Sequence, residues 1–106
     1  MTKVRIDPGI CGLITEAEAR AENETQVKVR IVSACKSIRD MAGELGEDFD
    51  AYDICLKKPG EGPFYDYAQE HFPVHVSCPA INGIIKCVEV ECHLALKKNA
   101  IIEFIE

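Results

Sequence analysis

Gln26-Val27-Lys28-Val29-Arg30-Ile31-Val32-Ser33-Ala34-Cys35 is the stretch from which the fold is read. Val27, Val29 and Ile31 fall on one side and Lys28 and Arg30 on the other. That is the period-two pattern of a strand with one buried face, and its β-branched residues agree with it. At Ser33 the period changes. Ser33 is the expected cap of a helix beginning near Cys35. Ile38, Met41, Ala42 and Leu45 then recur at helical spacing, with Gly46 as the expected stop. The handover from strand to helix puts Cys35 at the junction.

Upstream lie two further strands. Val4 and Ile6 alternate with Lys3 and Arg5, and Asp7-Pro8-Gly9 makes a turn. Residues 10–20 read as the second strand, with Ala17 and Ala19 alternating with Glu16, Glu18 and Arg20. Ala and Glu also suit a helix. Glu22-Asn23-Glu24 reads as a turn into the next strand, however, and that favours strand. Downstream, Phe49, Tyr52 and Leu56 suggest a short helix capped by Asp48 or Asp50. Pro59-Gly60-Glu61-Gly62-Pro63 is a loop, and Phe64, Tyr67, Ala68 and His71 suit a further short helix. Residues 72–77 read as extended and lead into Cys78-Pro79, where proline fits the first turn of a helix. That helix is expected to run to about Leu96, with Ile81, Ile84, Ile85, Val88, Cys92, Ala95 and Leu96 on its apolar face. Residues 101–105 are apolar enough for a docked strand or an extended arm. The fold class is α+β: a three-stranded antiparallel sheet packed against helices. At 106 residues the whole chain, 1–106, reads as one domain.

Composition narrows the function. Hydrophobic residues make up 47% and charged residues 28%, which excludes a disordered or collagen-like chain. No apolar run approaches the roughly 20 residues that span a bilayer. The N-terminus has no signal-peptide core, so the expected location is cytoplasmic. The formal charge of −6, from 12 basic and 18 acidic residues, disfavours nucleic acid as a partner. A protein partner or self-association stays open.

Six cysteines are the informative count: Cys11, Cys35, Cys55, Cys78, Cys87 and Cys92. An even number in a short chain is compatible with three disulfides, but a reducing compartment favours free thiols. Cys11 follows a Pro-Gly turn, Cys35 lies between strand and helix, and Cys78 immediately precedes a helix. Unpaired N–H groups and the positive end of a helix stabilise a thiolate. Thiolates are soft ligands that select zinc or an iron–sulfur cluster. Three of them leave one coordination position for another ligand, a substrate or a partner. His75, three residues before Cys78, is the candidate fourth ligand; its alternative is a partly exposed strand histidine. Cys55, Cys87 and Cys92 read first as packing residues. The chain has no CxxC pair, so it carries neither a zinc ribbon nor a thioredoxin motif. No Ser-His-Asp order stands out, and no catalytic residue is assigned.

The order of elements and cysteines resembles the iron–sulfur cluster assembly scaffold of the IscU/NifU type over residues 4–96. The matching segments are Asp7-Pro8-Gly9-Ile10-Cys11-Gly12, Val32-Ser33-Ala34-Cys35-Lys36-Ser37 and Pro73-Val74-His75-Val76-Ser77-Cys78. The resemblance implies a three-stranded sheet followed by helices, and three cysteines that receive and pass on a cluster. It departs at Leu13, where the family has an acidic residue, and at Ser77, where the family has histidine. Lys36-Ser37-Ile38-Arg39-Asp40 replaces a serine-rich helix start. The Pro-Gly-Ile-Cys-Gly signature is also similar to that of small uncharacterised bacterial and archaeal proteins. The expected function is therefore a small metal-binding protein that holds zinc or an iron–sulfur cluster through Cys11, Cys35 and Cys78. Its rivals are a thiol-dependent redox protein and an interaction domain whose cysteines only pack.

Overall fold

The three alternating segments form three neighbouring strands. The computed structural model describes residues 1–106. β1 (Thr2–Ile6), β2 (Thr15–Ala21) and β3 (Gln26–Ser33) are joined by β4 (Asp48–Asp50) in one antiparallel sheet, in spatial order β1-β2-β3-β4. The register aligns Ile6 with Thr15 and Thr15 with Ser33 at one end. At the other end Thr2 lies opposite Ala19. Because side chains alternate across a strand, each register row commits its residues to one face. Ala17, Ala19, Val27 and Val29 are at most 1% exposed. The other face is charged, with Lys3 bridging Glu16 and Glu18 at 3.9 and 3.6 Å. Lys28 meets Asp48 there at 2.6 Å.

Four helices cover the inner face: α1 (Lys36–Leu45), α2 (Ala51–Cys55), α3 (Pro63–His71) and α4 (Ala80–Glu91). The core joins the inner face of the sheet to Ile38, Met41, Ile54, Phe64, Ile81, Ile84 and Val88. The α+β architecture is as expected, but the sheet has four strands where three were expected. Asp48-Phe49-Asp50 is too short to show a period. Its one apolar residue, Phe49, falls into helical spacing with Tyr52 and Leu56. The expected Asp50 cap is in place, its carboxylate accepting from the N–H groups of Tyr52 and Asp53.

Ser33 acts differently from the expected cap. Cys35 occupies the N-cap of α1. The buried Ser33 hydroxyl accepts from the Cys35 N–H at 3.0 Å and bonds the Thr15 hydroxyl at 2.7 Å. It therefore pins the strand end as well as the helix start. The second strand begins at Thr15, because Gly9 and Gly12 take positive φ and hold the preceding residues in a turn. Residues 72–77 form no strand.

The last helix stops at Glu91, short of Leu96. His93 takes φ 60°, its N–H reaches the Val90 carbonyl, and the Leu94 N–H reaches the Glu89 carbonyl. This paired closure is the one glycine usually supplies. A histidine there gives no sequence signal for a stop.

Gly83, Cys87 and Glu91 fall four residues apart on one stripe of α4 and meet β1 and β2 in turn. Gly83 lies against Ile6, and the Cys87 thiol donates to the Thr2 carbonyl at 3.3 Å. Glu91 accepts from the Thr2 hydroxyl at 2.8 Å and from the Ala21 N–H at 2.9 Å. The helix therefore runs antiparallel to β1, with its N-terminal end beside Ile6. Burial pushes the Glu91 carboxyl up, but the Ala21 N–H, the Thr2 hydroxyl and the N-terminal ammonium outweigh it and hold its pKa below the usual carboxylate value. A depressed carboxyl pKa stabilises the fold above the unfolded-state value, and that contribution is lost as pH falls through the folded-state value. Glu91→Gln should cost on the order of 1 kcal/mol near neutral pH, or roughly 4–8 °C in Tm. The gap from the parent should close on acidification below the ordinary carboxylate range. Thermal melts across pH check this; a gap that stays constant with pH contradicts it.

Candidate functional site

The three cysteines at element boundaries lie at one end of the sheet. Ile6, Thr15 and Ser33 mark that end in the register. Cys11 sits in the loop that joins Ile6 to Thr15. Cys35 follows Ser33 by two residues. Cys78 precedes Pro79, the N-cap of α4, whose first turns lie against Ile6. The Ala34 N–H donates to the Ile14 carbonyl at 3.0 Å, tying the Cys11 loop to the Cys35 junction.

The three residues differ in exposure. Cys11 is exposed, while Cys35 and Cys78 are half-buried and pack against the core. The Cys11 loop is held by the Asp7 carboxylate, which accepts from the Gly9 N–H at 2.9 Å, and by a Gly12 N–H to Gly9 carbonyl bond of 3.0 Å. Behind Cys35, the Arg39 guanidinium donates to the Ser33 and Ala34 carbonyls at 3.3 and 2.8 Å. His75 is exposed in the segment before Cys78, and its carbonyl accepts from the Cys78 N–H at 3.4 Å. Ile10, Val74 and Val76 are fully exposed around this end. No three His, Cys, Asp or Glu side chains anywhere in the chain are close enough together to hold an ion. The fold therefore brings the cysteine-bearing segments to one end without assembling their side chains into a ligand set.

Of the other three thiols, Cys55 and Cys92 are half-buried against the core as Cys35 and Cys78 are. Cys87 is wholly buried, and burial pushes its thiol up to about 11. Burial pushes Cys55 up to about 12, with Glu89 and Cys92 adding to the rise. Cys92 is raised by burial and then by Glu91. A raised pKa suppresses the thiolate and with it both nucleophilicity and metal affinity. All six cysteines are free thiols.

Sequence reading did not single out a polar cleft of about 580 Å³ between α1 and α3. Asp40 and Glu44 line it from α1, and Tyr67 and His71 from α3. The Tyr67 hydroxyl donates to the Glu44 carboxylate, and the His71 ring stacks on Tyr67 at 4.0 Å. The hydrogen bond to Glu44 leads the rise of the Tyr67 phenol to about 12, so it stays protonated. Each pair is spaced four residues apart on its helix, the one signal that marks them as neighbours.

Neither a curated protein nor a solved structure matches the chain. One family model matches residues 2–104. The chain that carries this three-cysteine end thus belongs to DUF6951, a family of unknown function.

Proposed function

We propose that this chain is a small metal-binding protein that holds zinc or an iron–sulfur cluster through Cys11, Cys35 and Cys78. One observation carries the reading: the three segments with these thiols meet at the Ile6–Thr15–Ser33 end of the sheet, while burial raises the pKa of each of the other three thiols. Metal binding then requires closure. Cys11 sits between Gly9 and Gly12, both with open space around them, so its loop has room to bring its thiol in. His75 supplies a nitrogen beside Cys78, and soft thiolates with one imidazole match zinc or an iron–sulfur cluster. With the scaffold-like order of cysteines and elements, the role is to carry or transfer a cluster, which is then cargo. The fourth strand is a departure from that scaffold plan.

Anaerobic purification followed by metal and acid-labile sulfide analysis tests the reading. Zinc, or iron with sulfide, should be present in stoichiometric amount and fall at least tenfold when Cys11, Cys35 and Cys78 are replaced together by alanine. Cys55→Ala should leave the content unchanged. Metal content indifferent to the triple replacement sinks the proposal. A metal-free protein whose Cys11 reacts rapidly with a thiol reagent would favour thiol-dependent redox chemistry instead.

A further inference from the structure

We propose that the apolar segment 101–105 adds to the open edge of β1 in a second copy of the chain, so that two chains exchange these segments about a two-fold axis. The pairing pattern identifies the edge. Ala34 donates to Ile14 at 3.0 Å and Glu22 to the Gln26 carbonyl at 2.8 Å, so even-numbered residues along β2 bond toward β3. Antiparallel alternation then turns Thr15, Ala17 and Ala19 toward β1, where they lie opposite Ile6, Val4 and Thr2. Lys3 and Arg5 are left with their N–H and C=O groups pointing outward, and no strand lies beyond β1. The opposite edge of the sheet is better covered. β4 pairs with Gln26, Val27 and Lys28 of β3, Glu47 accepts from the Val29 N–H, and Arg39 takes the Ser33 and Ala34 carbonyls.

The segment fits that edge in pattern and in charge. Ile102 and Phe104 share one face of an extended segment, and Glu103 lies on the other between Ile101 and Ile105. All four apolar side chains stand between 76% and 99% exposed on their own chain. Laid along β1, Ile102 and Phe104 extend the inner face beside Val4 and Ile6, both half-exposed. Glu103 then falls on the charged face with Lys3 and Arg5. Lys3 is already engaged with Glu16 and Glu18, whereas Arg5 makes no ion pair and receives the new carboxylate. A second β1 would set Lys and Arg against Lys and Arg, which opposes pairing, so the edge selects an acidic strand over its own copy. Residues 92–100 lead from the end of α4, which Glu91 fixes beside Thr2. At about 3.3 Å per residue these nine residues reach roughly 30 Å, well beyond the length of a five-residue strand.

Light scattering and sedimentation on the full chain, with and without substitutions, test this. The parent should form a dimer at tens-of-micromolar concentrations, and Ile102→Asp with Phe104→Asp should make it monomeric with unchanged circular dichroism. Arg5→Glu and Glu103→Arg should each weaken dimerisation several-fold, and the two together should restore it. A monomeric parent overturns the proposal, including one whose amides at 101–105 are protected from exchange by docking on their own chain. So does a dimer indifferent to the Ile102 and Phe104 changes, or to both single charge reversals. None of these readouts depends on metal.

Discussion

Phe64→Ala should cost about 3–5 kcal/mol, the range for removing an aromatic ring from a filled core. Phe64 is 1% exposed and is the only buried residue of α3. Its ring centre lies 5.1 Å from that of Phe49, tilted by 45°. The pair joins the first turn of α3 to β4 and through it to the edge of β3. Pro63 and the positive φ of Gly62 start the helix but bury little. Without the ring, α3 keeps its backbone bonds and is held to the core only by its half-buried residues Tyr65, Tyr67 and Ala68. A domain of this size has roughly 5–15 kcal/mol of stability in all, so the variant should unfold at much lower denaturant. Denaturation followed by circular dichroism measures this, since the chain has no tryptophan. Amide exchange should rise in α3 before it rises in β2. A loss below about 1 kcal/mol would mean that the ring is not a core anchor.

The strands were read correctly where burial acts on alternate residues over several positions. Val27, Val29, Ala17 and Ala19 are each at most 1% exposed, and their alternation is what burial imposes on sequence. Phe49 had no such company. A three-residue strand becomes recognisable only through its partner, and that partner is twenty or more residues upstream. Cys87 shows a related limit. The apolar face expected of the last helix leaves it out, yet it is wholly buried. The rotation of α4 about its axis is set by where the helix can approach β1, and Gly83 decides that. Pattern in one helix does not report the shape of the surface it packs on.

The candidate site was visible in part for the same reason. Cys35 and Cys78 sit where a helix begins and Cys11 sits in the middle of the β1–β2 loop, and these places leave marks: Pro8-Gly9, Ser33, Pro79. Element order and register then carry all three to one end of the sheet. The distance between their sulfurs belongs to the loops 7–14 and 73–78. Exposed residues dominate there, and Cys11 has no core contact to fix its direction, whereas Cys78 packs against the core. His75 fell in that second loop, exposed, instead of in the extended segment expected of it. The Asp40, Glu44, Tyr67 and His71 cleft needed α1 and α3 to be packed side by side, and nothing in either helix alone announces its partner.

Gly83→Val is the variant that couples the fold to the candidate site. A Cβ at Gly83 would run into Cγ1 of Ile6 and lie 2.6 Å from its Cδ1. Atoms cannot approach that closely, so either Ile6 leaves its position or α4 lifts from β1. Valine adds two further methyl groups in the same space, and overpacking of this kind costs typically about 1–3 kcal/mol, here at the upper end. The gain in helix propensity over glycine is a few tenths of a kcal/mol and does not offset it. Gly83→Ala should lose less, because alanine recovers about 1 kcal/mol of propensity and adds a single carbon. The larger variant also disturbs the row of contacts that holds the start of α4 beside Ile6, and with it Cys78. Metal content should therefore fall in folded Gly83→Val protein at low temperature. It should persist in folded Phe64→Ala protein, whose lost contact lies with β4 and α3 away from that end. Valine tolerated at Gly83 within about 0.5 kcal/mol would refute the close approach. Equal metal content in the two variants would separate the thiol end from the α4–β1 contact.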